Sequence, residues 1–259
     1  MAVPHLEAVV SGLPLAGGPT PTLILGSALG STMGIWDAAL PDLERDFHVI
    51  RFDLPGHGIT PTAESGFTMD ELADAVADLA TRHGVERFAF AGVSIGGAIA
   101  LVLARRHPHR LTGIGVVCSA ATFGGVNSGF LERAASVRAE GMGFVTPAIP
   151  GRWFAPSFID AHPGEVERIV AMVASADPHG YAQCCEALAT YDESANMSSV
   201  AVPTIVISGE LDPGCPPEVG EIVANGVPAG SLVVVPDTSH LAVAESPAAV
   251  AAALREAFH

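Results

Sequence analysis

The chain has 259 residues, 49% of them hydrophobic, and a formal net charge of −16. That length and apolar content suit one large globular domain or two small ones, and the charge disfavours nucleic acid and anionic membrane as partners, because both need basic patches. All 12 basic residues are arginine, which excludes a Schiff-base lysine, a Walker lysine and a pyridoxal attachment site.

The longest uncharged apolar runs, such as residues 98–104, fall far short of the roughly 20 residues that span a bilayer. The opening Met1-Ala2-Val3-Pro4-His5-Leu6-Glu7 lacks the basic and long apolar regions of a secretory signal, so a cytoplasmic location is expected. Cysteines 118, 184, 185 and 215 show no metal-ligand spacing and read as reduced thiols. No metal and no organic cofactor is expected.

The first predicted strand covers 23–25 and runs into the small-residue loop Gly26-Ser27-Ala28-Leu29-Gly30-Ser31. A second strand over 48–52 leads into Asp53-Leu54-Pro55-Gly56-His57-Gly58, a tight loop in which Asp53 reads as holding its own turn and His57 as a loop stabiliser. A helix opens at Thr68, with Leu72, Val76 and Leu79 on one face and Asp70, Asp74 and Asp78 on the other, and ends at Gly84. A strand over 87–92 meets a helix over 97–107 through Gly92-Val93-Ser94-Ile95-Gly96. A strand over 112–118 follows. From 124 to 196 no strong strand appears, only helical patterns over 130–140, 164–176 and 178–189. Strands resume over 204–208 and 232–235, and a last helix over 247–258 begins with Ser246 as cap and Pro247 at its first position. Strands alternating with helices predict an α/β fold, a mostly parallel sheet with helices on both faces. The middle stretch reads as a helical insertion returning to the same sheet. The expected organisation is a core of 1–123 and 197–259 with a helical cap of 124–196.

Gly-x-Ser-x-Gly between a strand and a helix is a turn that exposes a serine nucleophile. With 28 glycines in the chain, roughly 0.2 such matches arise by chance, so the flanking strand and helix carry the reading. Ser94 needs a histidine base, and that imidazole needs a carboxylate to set its tautomer. Asp212, directly after the strand over 204–208, and His240, after the last strand, emerge on the rim where Ser94 sits, because the carboxyl ends of parallel strands share one edge. Glu210 and Asp237 are the alternative acids. The amides of Ile95 and Leu29 are the candidate donors to an oxyanion.

Together these motifs resemble the α/β-hydrolase superfamily over nearly the whole chain: the loop from Gly26 to Gly30 followed by Trp36-Asp37, Asp53-x-x-Gly56-His57-Gly58, Gly92-x-Ser94-x-Gly96-Gly97, Gly209-Glu210-x-Asp212 and Ser239-His240. The order serine, aspartate, histidine fits that family. Arg133-Ala134-Ala135-Ser136-Val137-Arg138-Ala139-Glu140-Gly141, Arg152-Trp153-Phe154, the stretch from Asp177-Pro178-His179-Gly180-Tyr181 to Leu188, and Asp212-Pro213 leading to Pro216-Pro217-Glu218 resemble the 3-oxoadipate enol-lactonases of bacterial aromatic degradation. Pro55 departs from the arginine often found at its position in those lactonases.

The resemblance implies opening of 3-oxoadipate enol-lactone to 3-oxoadipate. Ser94 would attack the carbonyl, His240 take its proton, Asp212 support the imidazolium, and the Leu29 and Ile95 amides hold the oxyanion. That lactone carries a carboxylate, for which Arg133, Arg138 and Arg152 are candidate binders, with Trp153 as a pocket wall. Other readings of the same residues are a general carboxylesterase, an acyl-homoserine-type lactonase, a cofactor-free perhydrolase, or a non-catalytic ligand-binding member of the fold. In each enzymatic reading the partner is a small lactone or ester.

Overall fold

In the computed structural model, which describes residues 3–12, 20–125 and 128–258, seven strands form one sheet. They are β1 (Ala8–Ser11), β2 (Thr22–Gly26), β3 (His48–Phe52), β4 (Phe88–Val93), β5 (Leu111–Val117), β6 (Thr204–Gly209) and β7 (Gly230–Val235), in the order β1-β3-β2-β4-β5-β6-β7. Every pairing is parallel except that of β1 with β3, where Ala8 lies opposite Phe52. Every residue of β4 and β6 is buried, which is why β4 reads as an unbroken apolar run and β6 adds only the small hydroxyls of Thr204 and Ser208: a central parallel strand is covered on both faces. Met1 and Ala2 of the opening segment, and residues 126–127 near the start of the insertion, lie outside the described residues.

Eleven helices are described: α1 (Leu40–Leu43), α2 (Met69–Arg82), α3 (Ile95–Arg106), α4 (Phe130–Glu140), α5 (Ile149–Trp153), α6 (Pro156–Ala161), α7 (Pro163–Ser175), α8 (Pro178–Ala189), α9 (Pro217–Gly226), α10 (Ala242–Glu245) and α11 (Pro247–Phe258). None is long and apolar enough to cross a membrane. Thr68 caps α2 reciprocally with Glu71, each side chain taking the other's backbone N–H, a device worth about 1 kcal/mol.

Sheet pairing shows how both faces are covered. Gly115 and Ile205 pair, as do Val116 and Val206, and side chains of paired residues share a face while neighbours along a strand alternate. A Cβ on Gly115 would lie 2.7 Å from Leu254 of α11, whereas Gly220 of α9 sits against Val206. α11 and α9 therefore cover opposite faces.

α4 to α8 are inserted between β5 and β6, ahead of the strand that leads to Asp212, and form a helical cap. The two ends of the insertion are drawn together by a bridge between Thr122 and Asp192 and by the Glu193 N–H donating to Ala121 O at 2.7 Å. Buried Glu193 also receives the Nε of Arg105, at the end of α3, at 2.9 and 3.0 Å. The helix that starts at Ser94 is thus tied at its far end to the base of the insertion.

Candidate active site

β4 ends at Val93, and Ser94 turns the chain into α3 with φ 56° and ψ −113°. For a residue with a Cβ this costs on the order of 1–3 kcal/mol. Hydrogen bonds from every side hold it there: the Ser94 N–H donates to Val117 O (2.9 Å), and Ser94 O accepts from the Ala98 N–H (3.0 Å) and Ser119 Oγ (2.6 Å). A Cβ on Gly92 would fall 2.3 Å from the carbonyl carbon of Gly96. The turn closes only because Gly92 has none.

The loop after β2 lies against the start of α3, close enough that a Cβ on Gly96 would reach within 3.0 Å of the Gly26 carbonyl. Trp36 Nε1 donates to Gly26 O (3.1 Å), and the Gly30 N–H donates to His57 Nε2 (3.0 Å). His57 Nδ1 lies 2.9 Å from Pro55 O, so it carries the proton and the imidazole is neutral. Burial pushes the His57 pKa down to about 4, against the opposing pull of the Pro55 carbonyl. Asp53 accepts from the Ile59 N–H (3.0 Å) within its own turn and also from the Met33 N–H (2.6 Å). The 53–58 loop thereby anchors the loop that carries Leu29. Among the described residues neither the Leu29 nor the Ile95 N–H meets a protein acceptor.

His240 and Asp212 meet on the same rim, Nδ1 to Oδ2, at 2.8 Å. The Asp212 side chain is fully buried and that of His240 is 12% exposed. The other oxygen of Asp212 accepts from the Gly214 and Cys215 N–H groups (2.8 and 3.0 Å). Burial works against its ionisation, but the His240 hydrogen bond and charge and the two amides together hold the carboxyl below its ordinary range. The segment 117–119 links the two halves of the rim: Val117 O receives the Ser94 amide, while Cys118 N–H donates to Ile207 O (2.8 Å) in β6. Ser94 Oγ and His240 Nε2 make no hydrogen bond with any described residue.

The alternative acids sit elsewhere. Glu210 turns to the surface, where its carboxylate accepts from the Asp237 N–H (3.0 Å), and Asp237 is itself exposed. Ligating atoms of Asp212, Cys215 and His240 lie within 4.8 Å of one another. Both Asp212 oxygens and His240 Nδ1 are already engaged, and burial pushes the Cys215 thiol well up, keeping it protonated. The set suits a proton relay better than a metal ion.

The structure gives the three cap arginines different surroundings. Half-buried Arg133 lies over the Phe130 ring, 5.0 Å from its centroid, and faces the Tyr181 hydroxyl, with no carboxylate partner among the described residues. Tyr181 in turn packs against Gly30, next to Leu29. Arg138 is exposed and paired with both oxygens of Glu186. Arg152 is exposed and makes no hydrogen bond or ion pair with a described residue. Trp153 is 9% exposed, and its carbonyl accepts from the Leu241 N–H at 3.0 Å, beside His240.

Sequence reasoning missed Tyr181, Ser119 and Glu245. Glu245 takes the Ser239 N–H (2.8 Å) and the Ala155 N–H (2.9 Å) on its two oxygens. Its only sequence signal is a lone carboxylate closing the apolar run from Leu241 to Ala244.

A model of the α/β hydrolase fold matches residues 21–247. The chain is 30% identical to 3-oxoadipate enol-lactonase 2 of Acinetobacter baylyi over 229 residues, which cover 88% of this chain and 85% of that protein. The crystal structure of the enol-lactonase from Burkholderia xenovorans LB400 superposes with a TM-score of 0.91 at 28% identity, covering 97% and 95% of the two chains. A malate-bound thermophilic esterase from Thermogutta terrifontis superposes with a TM-score of 0.90 at 30% identity, covering 97% and 92%. With the elbow at Ser94, the paired His240 and Asp212 and the seven-stranded sheet beneath them, the chain belongs to the α/β-hydrolase family.

Proposed function

We propose that this hydrolase opens a small carboxylate-bearing lactone, 3-oxoadipate enol-lactone to 3-oxoadipate, in the breakdown of aromatic compounds, through an acyl-enzyme on Ser94. The reading is carried by one observation: a serine held in a left-handed turn at the rim that also bears an imidazole paired to a buried carboxylate. Ser94 Oγ attacks the lactone carbonyl while His240 Nε2 takes its proton, through a hydrogen bond formed in the substrate complex. Asp212 keeps Nδ1 protonated and supports the imidazolium. The N–H groups of Leu29 and Ile95 receive the oxyanion. Collapse of the tetrahedral intermediate breaks the ring C–O bond and releases an enolate that stays tethered to the acyl group. His240 returns a proton, then activates water, which cleaves the acyl–serine bond, frees the carboxylic acid and restores Ser94.

Arg133 is the group we assign to the substrate carboxylate. Its guanidinium has no carboxylate partner among the described residues and stands beyond Tyr181 from the oxyanion loop. Trp153, against the His240 loop, forms a wall of the pocket. A second reading, an esterase for small carboxylate-bearing esters, is favoured by the malate-bound relative and uses the same residues.

Hydrolysis of enzymatically generated enol-lactone by wild type and Ser94→Ala tests the proposal. The variant is expected to lose about 10⁴-fold or more in turnover. Equal rates in the two proteins would overturn the covalent route, and rapid turnover of small carboxylate-bearing esters with no action on the enol-lactone would favour the esterase.

A further inference from the structure

Two hydrogen bonds join the cap to the segment carrying His240, and a third, inside that segment, ends on the same side chain as one of them. Glu245 closes α10, five residues beyond His240. One of its oxygens accepts from the Ser239 N–H (2.8 Å), immediately before the histidine, and the other accepts from the Ala155 N–H (2.9 Å), two residues beyond Trp153 in the cap. The second bond to the cap runs from the Leu241 N–H to Trp153 O (3.0 Å). Beside this junction a groove of about 470 Å³ opens between cap and core, bordered by Phe158, His162, Arg168 and Glu245 itself.

From this geometry we infer that Glu245 is a positioning residue that locks the His240 loop to the cap, so that the base and the pocket wall at Trp153 are placed by one carboxylate. The inference rests on the reading of His240 as the base. A carboxylate suits this task because it offers acceptors on both oxygens and no donor, and both partners are backbone N–H groups. Burial pushes the Glu245 carboxyl up, with the negative charge of Asp212 adding to it, while the Ala155 and Ser239 amides and the His240 imidazole oppose the rise. Side chains near the junction bring further charge: Asp37, Glu165, Arg168 and His162 line the groove. Arg168 is already held by Glu165 at 2.6 Å, and Glu245 has no cationic side-chain partner among the described residues. Its two amide contacts are what define its place.

The test uses Glu245→Ala, Glu245→Gln and Ala155→Pro in the full chain. Ala155 has φ −64° and follows Phe154 in extended conformation, so proline fits the backbone there and removes only the cap-side donor. Turnover of the enol-lactone and of a neutral p-nitrophenyl ester is measured beside the rate at which a serine-reactive phosphonate labels Ser94. Glu245→Ala is expected to lower kcat and labelling by about 10- to 100-fold, the scale set by misplacing a catalytic group by about 1 Å. Glu245→Gln, which keeps one acceptor, should fall between that variant and wild type. Ala155→Pro should raise KM more than it lowers kcat, because the Ser239 contact remains. Should Glu245→Ala fail to fold, the glutamine and proline variants carry the test. Folded variants whose kcat, KM and labelling all stay within twofold of wild type would overturn the inference alone. A wild type in which the phosphonate fails to label Ser94 would overturn the hydrolase reading and this inference with it.

Discussion

The carboxyl rim of the sheet and the helical cap above it treat charge in opposite ways. At the rim the carboxylates that turn inward are met by fixed partners: buried Asp212 by His240 and two amides, buried Asp53 by the Met33 and Ile59 amides, half-buried Glu245 by the Ser239 and Ala155 amides. In the cap Arg138 is neutralised by Glu186, while Arg133 faces an aromatic ring and a phenol with no counter-charge among the described residues. Under the proposed function the contrast follows from what each region must do. Groups that support developing charge must be oriented before the reaction, since a donor that reorganises during the step stabilises less. A group that recognises an anion works best when its charge is uncommitted until the anion arrives.

The largest test of the rim is Asp212→Asn. The amide keeps the shape but no longer favours a protonated Nδ1, leaving the imidazole in the wrong tautomer to act as base. A loss of about 10⁴-fold in kcat, with KM little changed, is the scale such replacements reach in Ser-His-Asp enzymes. Steady-state kinetics on the enol-lactone or on a p-nitrophenyl ester measures it. A loss below tenfold would mean that the ordered rim is a structural feature and that the chemistry lies elsewhere.

Much of the rim was legible because its chemistry leaves local marks. Strand, Gly-x-Ser-x-Gly and helix are contiguous, and parallel-strand geometry then brings Asp212 and His240 to the same edge. The helices over 130–140, 178–189 and 247–258 were read with their observed bounds, since Pro178, Pro247 and the glycines around α4 punctuate them. β1 was not read. It is four residues long at the sheet edge, its burial pattern lacks alternation, and only its pairing with β3 makes it a strand. The short helices α1, α5, α6 and α10 were invisible for a related reason, being too brief to show a period. What Tyr181 touches, and the Ala155 N–H that Glu245 reaches in the cap, lie 40 to 160 residues away in sequence, so no local pattern announces them.

His57 gives the next effect in size, on stability. With its pKa near 4 in the fold and an ordinary value of 6.5 in the unfolded chain, the unfolded state binds the proton first as pH falls. Stability from this group is complete above about pH 6.5 and is lost progressively towards pH 4, by about 3 kcal/mol in all. The sign matches that of Asp212, whose lowered pKa removes stability only at lower pH. His57→Gln is expected to flatten the dependence of the urea midpoint on pH between 7 and 5. An unchanged slope would show that the anchor of the Leu29 loop does not titrate as its burial demands.

The cap is sharpened by comparing two arginines on one helix. Arg133→Gln should raise KM for the carboxylate-bearing lactone by about 10- to 100-fold, the equivalent of a charge-assisted hydrogen bond of roughly 1.5–3 kcal/mol. Turnover of a neutral p-nitrophenyl ester should stay within about threefold, because no anion is there to be held. Arg138→Gln should move neither substrate by more than about twofold, since it breaks a solvent-exposed pair with Glu186 of the kind worth roughly 0–1 kcal/mol. The two variants remove the same charge from α4, so a long-range effect of net charge would shift both alike. Only a contact with the bound anion separates them, and an Arg133 variant that binds carboxylate-bearing and neutral substrates with equal loss would show that the uncommitted guanidinium supports the cap rather than reading the ligand.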